Sequence, residues 1–281
     1  MVAGCSLRAL ASPQAFQETE STMESPVLND VSDGVLHLTL NRPAKLNPFT
    51  YEMIGLLLEQ LERADHDPAI RAILIDGAGG NFSSGDDIKS MGEHPRRIPA
   101  GAHATREFQQ RLLKRWYWFP KPTIAAVRGR CHGIASDMML AADFRIVSRT
   151  AAYGDIRARR AIPVGTGGTW LLPRMVGLPA ASQMMLTGDV IDGEEMYRLG
   201  LAMAVVEDTE LDARAWAFAT RMASGPTKAI GLMKQELRHN LHATFEEALE
   251  YEMALHDTPV VDRAEGRLSF IEKRDPVYQG E

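Results

Sequence analysis

Two stretches of this chain run from a short apolar segment straight into a glycine loop, and they constrain the fold more than any other feature. The first is Ala72-Ile-Leu-Ile-Asp-Gly-Ala-Gly-Gly-Asn-Phe-Ser-Ser-Gly-Asp-Asp-Ile-Lys89. The second is Pro122-Thr-Ile-Ala-Ala-Val-Arg-Gly-Arg-Cys-His-Gly-Ile-Ala-Ser-Asp-Met-Met-Leu-Ala-Ala-Asp143. Apolar runs this short, closed by glycine, read as buried strands. Each loop is then expected to open a helix, whose first backbone N–H groups lack intrahelical partners and suit an anionic oxygen. On spacing alone a surface turn fits the first loop about equally well. A dinucleotide loop fits poorly, because the third glycine of that pattern would fall on Phe82.

The neighbouring segments give the fold class. Leu36, Leu38 and Leu40 alternate within the expected strand Val35 to Leu40, and Asn41-Arg42-Pro43 ends it. Thr50 suits a helix cap before Met53, Ile54, Leu57, Leu58 and Leu61, which recur at helical spacing and are followed by Pro68. Arg106 to Phe119 has helical character, Phe144 to Val147 is a further strand, and Gly165 to Gly168 precedes a helix over Trp170 to Met175. Short strands alternating with helices define an α/β fold. After about Glu207 only helical patterns remain: Leu211 to Met222, Thr227 to Leu237, Phe245 to His256 and Arg263 to Lys273. The expected organisation is a disordered tail over 1–26, an α/β core over 27–206 and a helical region over 207–281, packed on the core or on another subunit.

Composition narrows the function. The 281 residues, 45% apolar and 24% charged, suffice for one large core. A net charge of -6 argues against nucleic acid as the partner, and no apolar run reaches membrane-span length. Two cysteines, Cys5 and Cys131, make no disulfide framework and fit a reducing, cytoplasmic setting. Glu18, Glu20 and Glu24 speak against a signal or transit peptide, and Met23 is a candidate natural start.

Asp137 is the first candidate for chemistry. It falls in the first turns of an apolar helix, where the dipole favours a carboxylate and burial raises its pKa, a combination that suits a general acid or base. A simple N-terminal acid is the commoner explanation of such spacing, about two to one. Cys131-His132 lacks partner ligands at metal spacing, so no metal is expected there. Trp116-Tyr-Trp-Phe119 is chiefly core by its spacing, with some rings left to line a pocket.

Taken together these segments resemble the crotonase, or enoyl-CoA hydratase/isomerase, superfamily. Phe82-Ser-Ser-Gly-Asp-Asp-Ile-Lys89 is similar to the family loop F-x-A-G-A-D-[IL]-K, and Pro120 to Asp143 to its second loop and helix. Leu40-Asn-Arg-Pro-Ala-Lys-Leu-Asn47, Gly167 to Gly177, Leu186-Thr-Gly188, Leu199-Gly-Leu201 and Asp262 to Arg274 resemble further family segments, in order from about Val27 to the end. The resemblance implies a spiral of ββα turns with a helical C-terminal trimerisation region, assembled as a homotrimer or a dimer of trimers. It implies an acyl-CoA thioester as substrate, with coenzyme A part of that substrate and no separate cofactor. Two backbone N–H groups, those of Asp86 and Ile134, would hold the thioester oxygen. Ser84, Gly85, His132 and Gly133 would lie against the substrate, and Lys273 falls where the family often places a contact to CoA phosphates.

The chain also departs from that pattern. The first of the two glutamates usual in hydratases is here Asp137, and the second position falls on Arg157, which cannot serve as a base. The nearest spare acids are Asp155 and Asp86. Arg157, Arg159 and Arg160 are read first as a solvated basic loop, and otherwise as partners of Asp155 or Asp137 or as contacts to an acidic substrate group. The expected activity is enoyl-CoA hydratase in fatty acid metabolism, with Asp137 as acid/base and Asp155 as second acid. An isomerase or thioester hydrolase using Asp137 alone and a non-catalytic acyl-CoA-binding protein are the alternatives.

Overall fold

The computed structural model describes residues 25–89 and 102–281, excepting the side chains of 102–105. Nearly all of the expected N-terminal tail, with Met23, lies outside those residues. The main sheet has six strands in the order β1 (Val27–Ser32), β2 (Val35–Leu40), β3 (Ala72–Gly77), β4 (Thr123–Val127), β6 (Phe144–Ser148) and β9 (Ala204–Val206). β1 and β2 form an antiparallel hairpin, and every other pair is parallel.

Alternation along these strands feeds two cores. Leu36, Leu38, Leu40, Ile73, Ile75, Ala125, Val127 and Val147 belong to the larger one, with α1 (Tyr51–His66), α2 (Ala102–Tyr117) and α3 (Ile134–Ala141). Val35, Ala72, Leu74, Ile124, Ala126 and Ile146 face the other way, against Leu211, Ala215, Phe218 and Ala219 of α7 (Leu211–Ala223). A parallel sheet covered on both faces requires such continuously apolar strands. Thr50 caps α1, its hydroxyl accepting from the Met53 N–H, as its position before the periodic leucines requires.

Three short strands make a second sheet: β5 (Arg130–His132) parallel to β7 (Ala152–Gly154), which is antiparallel to β8 (Ile191–Asp192). The glycine loop expected between the strand at 123–127 and α3 thus holds a short strand of its own. α4 (Gly168–Val176), α5 (Leu178–Thr187) and α6 (Gly193–Arg198) follow the glycine stretch that begins at Gly165. Beyond β9 the chain is helical, with α7 followed by α8 (Thr227–His239), α9 (Phe245–His256) and α10 (Asp262–Glu272). Among the described residues no helix is long and apolar enough to cross a membrane.

Candidate active site

The two glycine loops are held edge to edge. The Ser83 N–H donates to the Arg130 carbonyl at 2.8 Å and Ser83 accepts from the His132 N–H at 3.2 Å, a parallel bridge between Ser83 and Cys131. On its other side the first loop is zipped to residues 46–49. Ser84 donates to Leu46, Phe49 to Gly85 and Asp87 to Phe49, at 2.7–2.9 Å. Fully buried Asn47 locks this corner. Its amide donates to the Ala78 and Asn81 carbonyls, and its Oδ1 accepts from the Arg42 N–H.

That pairing decides where Asp86 points. Successive peptide groups of an extended chain face opposite sides, so the bonds of Gly85 and Asp87 to Phe49 turn the Asp86 N–H away, toward Gly133. The Ile134 N–H opens α3, whose first intrahelical bond at Gly133 is made by Asp137. Among the described residues neither the Asp86 nor the Ile134 N–H has an acceptor. The first loop, however, does not open a helix through Lys89 as expected, because the pairing with Phe49 keeps it extended; only the second loop adds a helix dipole.

Glycine is needed at both contact points. Gly85 (φ 100°) and Gly133 (φ 58°, ψ -129°) occupy backbone regions that exclude side chains. A Cβ at Gly133 would also press on Asp86, 3.3 Å from its Oδ2 and 3.8 Å from its backbone nitrogen.

Asp137 lies behind this floor. All eight residues of α3 are buried, and Asp137, Asp155, Arg157 and Thr166 are each at most 4% exposed. Arg157 lies between the two carboxylates. Its Nη2 donates to Asp137 Oδ1 at 2.9 Å and to Asp155 Oδ2 at 2.8 Å, its Nε to Asp155 Oδ1 at 2.7 Å, and its Nη1 to the Thr166 hydroxyl at 2.9 Å. Thr166 in turn donates to Asp137 Oδ2. Burial opposes the Arg157 charge, but its bonds to Asp155 and Asp137 outweigh that and hold its pKa above the ordinary guanidinium value. One cation faces two carboxylates, so an excess negative charge remains; burial therefore pushes the Asp137 carboxyl up while Arg157 and Thr166 pull it back.

A groove of about 1000 Å³ opens onto the loops, lined by Ser84, Gly85, Asp86, His132, Gly133 and Arg157 among others. Asp137 and Asp155 are absent from its lining. Lys45, Lys89, Arg130 and Arg160 also line it, all exposed and without a side-chain partner among the described residues. Lys273 instead occupies the αL position that ends α10, outside the groove of its own chain. The reading of 157–160 as a uniformly solvated loop is corrected: Arg157 is buried, Arg159 pairs with Asp189 and only Arg160 faces the groove unpaired. Cys131 is fully buried and burial pushes its thiol far above the ordinary range, which disarms it as a nucleophile. Burial lowers the His132 pKa, and its Nδ1–H donates to the Gly154 carbonyl. Trp116 and Phe119 are core, while Tyr117 and Trp118 line a second, apolar cavity of about 870 Å³ with Trp170 and Leu171. Thr166 lines that cavity and Arg157 the groove, so their bonded pair separates the two spaces.

The family model for enoyl-CoA hydratase/isomerase matches residues 30–281. The chain belongs to the enoyl-CoA hydratase/isomerase family. Within it, the 1,2-epoxyphenylacetyl-CoA isomerase of Escherichia coli is 33% identical over 257 residues, covering 90% of this chain and 98% of that protein. The (E)-benzylidenesuccinyl-CoA hydratase of Thauera aromatica is 34% identical over 260 residues, covering 91% and 99%. The crystal structure of an enoyl-CoA hydratase from Bacillus anthracis superposes with a TM-score of 0.85 at 28% identity, covering 92% of this chain and 100% of that one. The crotonase fold expected from the sequence is therefore the observed one.

Proposed function

We propose that this family member forms and quenches the enolate of an acyl-CoA thioester, and that the product is a shifted double bond. The observation that carries the first half is the pair of free N–H groups on Asp86 and Ile134, on the two loops that meet at Gly85 and Gly133. Preorganised donors of this kind stabilise an oxygen that gains charge as the α-proton leaves. Lys45, Lys89, Arg130 and Arg160 supply unpaired positive charge along the same groove, which suits the phosphates of coenzyme A. Coenzyme A enters as part of the substrate, and the chemistry asks for no further cofactor.

The second half rests on where the acids stand. Addition of water uses one carboxylate to activate water and a second to serve the α-carbon. Asp137 and Asp155, the expected pair, both spend their oxygens on Arg157. Moving a double bond needs one carboxylate, which takes a proton and returns it elsewhere. Hydration remains the second reading, favoured by relatives named as hydratases. Exposed Phe245, Leu249, Met253, Phe270 and Ile271 on α9 and α10 are suited to burial between subunits, in line with the expected trimer.

The test is mass spectrometry and proton NMR of CoA products after incubation with 2-enoyl and 3-enoyl thioesters. Migration of the double bond at constant mass supports isomerisation. Gain of one water makes the protein a hydratase, and free CoA a thioester hydrolase. Tight binding without turnover or α-proton exchange would sink the enzymatic reading and leave an acyl-CoA-binding protein.

A further inference from the structure

The residue that supplies one oxyanion-hole N–H carries a carboxylate where the family loop pattern carries alanine. We infer that the Asp86 side chain is the proton-transferring group, its free oxygen taking and returning the substrate proton. This rests on the enolate reading above and names the group that reading lacks.

The geometry makes Asp86 both held and open. Its Oδ1 accepts from Gln109 Nε2 at 2.6 Å. Gln109 is 3% exposed, and its Oε1 accepts from Arg106 Nη1 at 3.1 Å, so the amide cannot turn without losing that bond. One carboxylate oxygen is thereby anchored to α2. The other, Oδ2, has no hydrogen-bond partner among the described residues and lies 3.3 Å from the Cβ position of Gly133. That is the point where the two loops meet, beside the N–H groups that would grip the thioester oxygen. A base there reaches the carbon next to the thioester.

The other acids near the groove are worse placed. Asp137 and Asp155 are bonded to Arg157 outside the lining. Asp87 pairs with Arg42 at 2.8 Å. Glu52 lines the groove but is exposed on the first turn of α1. His132 is the remaining rival, since its bond to Gly154 leaves Nε2 without a proton in the neutral ring.

The charge balance suits a carboxylate at this position. As the Cα–H bond breaks, its electron pair forms the Cα–C double bond and the thioester π pair moves onto oxygen. The proton goes to Asp86 Oδ2. Negative charge shifts a few ångströms from one atom to another, and none is created. In the return step the thioester carbonyl reforms, the enolate C–C π pair moves into the Cα–Cβ bond, and the Cβ–Cγ π pair forms the new γ-C–H bond with the proton as its O–H bond to Asp86 breaks and leaves its pair on the carboxylate. No other reactant is consumed.

The experiment uses the full chain with 3-enoyl-CoA in deuterated water, following both double-bond migration and deuterium uptake. A saturated acyl-CoA of the same length serves as binding probe. Asp86→Ala restores the family residue and keeps the backbone N–H, and Asp86→Asn keeps the shape. Both should lose about 10²- to 10⁴-fold in kcat, with Kd for the saturated thioester within about twofold. Gln109→Leu, which only frees the anchor, should lose less than either. Retention of kcat within about tenfold in both Asp86 variants would overturn the inference while leaving the enolate reading intact. So would complete loss on His132→Gln with Asp86→Ala active. A wild-type protein that neither exchanges nor turns over any thioester would overturn the enolate reading, and this inference with it.

Discussion

Asp137 and Asp86 are both neighbours of Gly133, yet the structure treats them in opposite ways. Asp137 N–H caps onto the Gly133 carbonyl, and its carboxylate turns inward onto Arg157 and Thr166. Asp86 approaches Gly133 from the other loop and keeps one oxygen open beside the groove. Burial, a cation and a hydroxyl occupy the first carboxylate within its own chain. Partial exposure and a neutral amide partner leave the second free to do so. Two acids that meet the same glycine thus differ in what each has as a partner.

The sharpest way to break this comparison is to remove the cation. Arg157→Met would leave Asp137 and Asp155 buried together without compensation. Breaking a buried ion pair in this manner costs about 3–5 kcal/mol, and the urea midpoint should fall accordingly. Asp155→Asn, which leaves Arg157 one full carboxylate, should cost less. An Arg157→Met protein with the wild-type midpoint would mean that the buried network does not hold the wall.

The open side has its own test. Gly133→Ala puts a methyl group at a backbone conformation reserved for glycine and against Asp86, which must shift with the N–H and the carboxylate it carries. Loss of one oxyanion donor typically costs about 10²–10³ in kcat. We expect a loss of that size in kcat, larger than the change in Kd for a saturated acyl-CoA. A change confined to Kd would place the thioester oxygen elsewhere.

Smaller effects are expected at the groove cations. Removing Lys45, Lys89, Arg130 or Arg160 singly should raise KM by about two- to fivefold, the scale of an exposed ion pair, and the difference should shrink in high salt. Equal KM values at low and high salt would remove phosphate recognition from that set.

Much of this was legible in the sequence, and the limits have physical causes. Alternation in 35–40 and the β-branched run 123–127 define strands because each is covered on both faces or on one. Asp137 was placed correctly on a buried helix turn by spacing alone. Its partner was harder to read: Arg157 was one of three arginines, and only the approach of the turn after β7 to α3 distinguishes the buried one. β5, β7 and β8 are two or three residues long, and such segments exist through pairing with distant chain rather than through their own pattern. Gln109 carried no signal at all, because a polar residue on a half-buried helix is ordinary until its contacts are known. Asn47 was legible only as a member of a family-like segment, and Thr166, one residue before another such segment, carried no signal of its own.

The smallest prediction concerns pH and separates His132 from the carboxylate beside it. Burial lowers the His132 pKa below its ordinary value, so protonation favours the unfolded chain, where the ring titrates near about 6.5. Its contribution to stability is therefore present above that pH and is lost as pH falls through the lower, folded value. His37 has the opposite sign. Its hydrogen bond to Asp76 raises its pKa, so its contribution is present below about 6.5 and is lost as pH rises through the folded value. A comparison of wild type with His132→Gln cancels His37, which both proteins keep. Unfolding free energies from urea titrations between about pH 7.5 and about pH 5 should fall more steeply in wild type, by less than about 1.4 kcal/mol per pH unit. Turnover in His132→Gln should stay within about tenfold of wild type, less than the loss expected from removing an acid/base group. Parallel curves would mean that His132 remains solvated and free to titrate, which would revive it as the groove's base and reopen the comparison with Asp86.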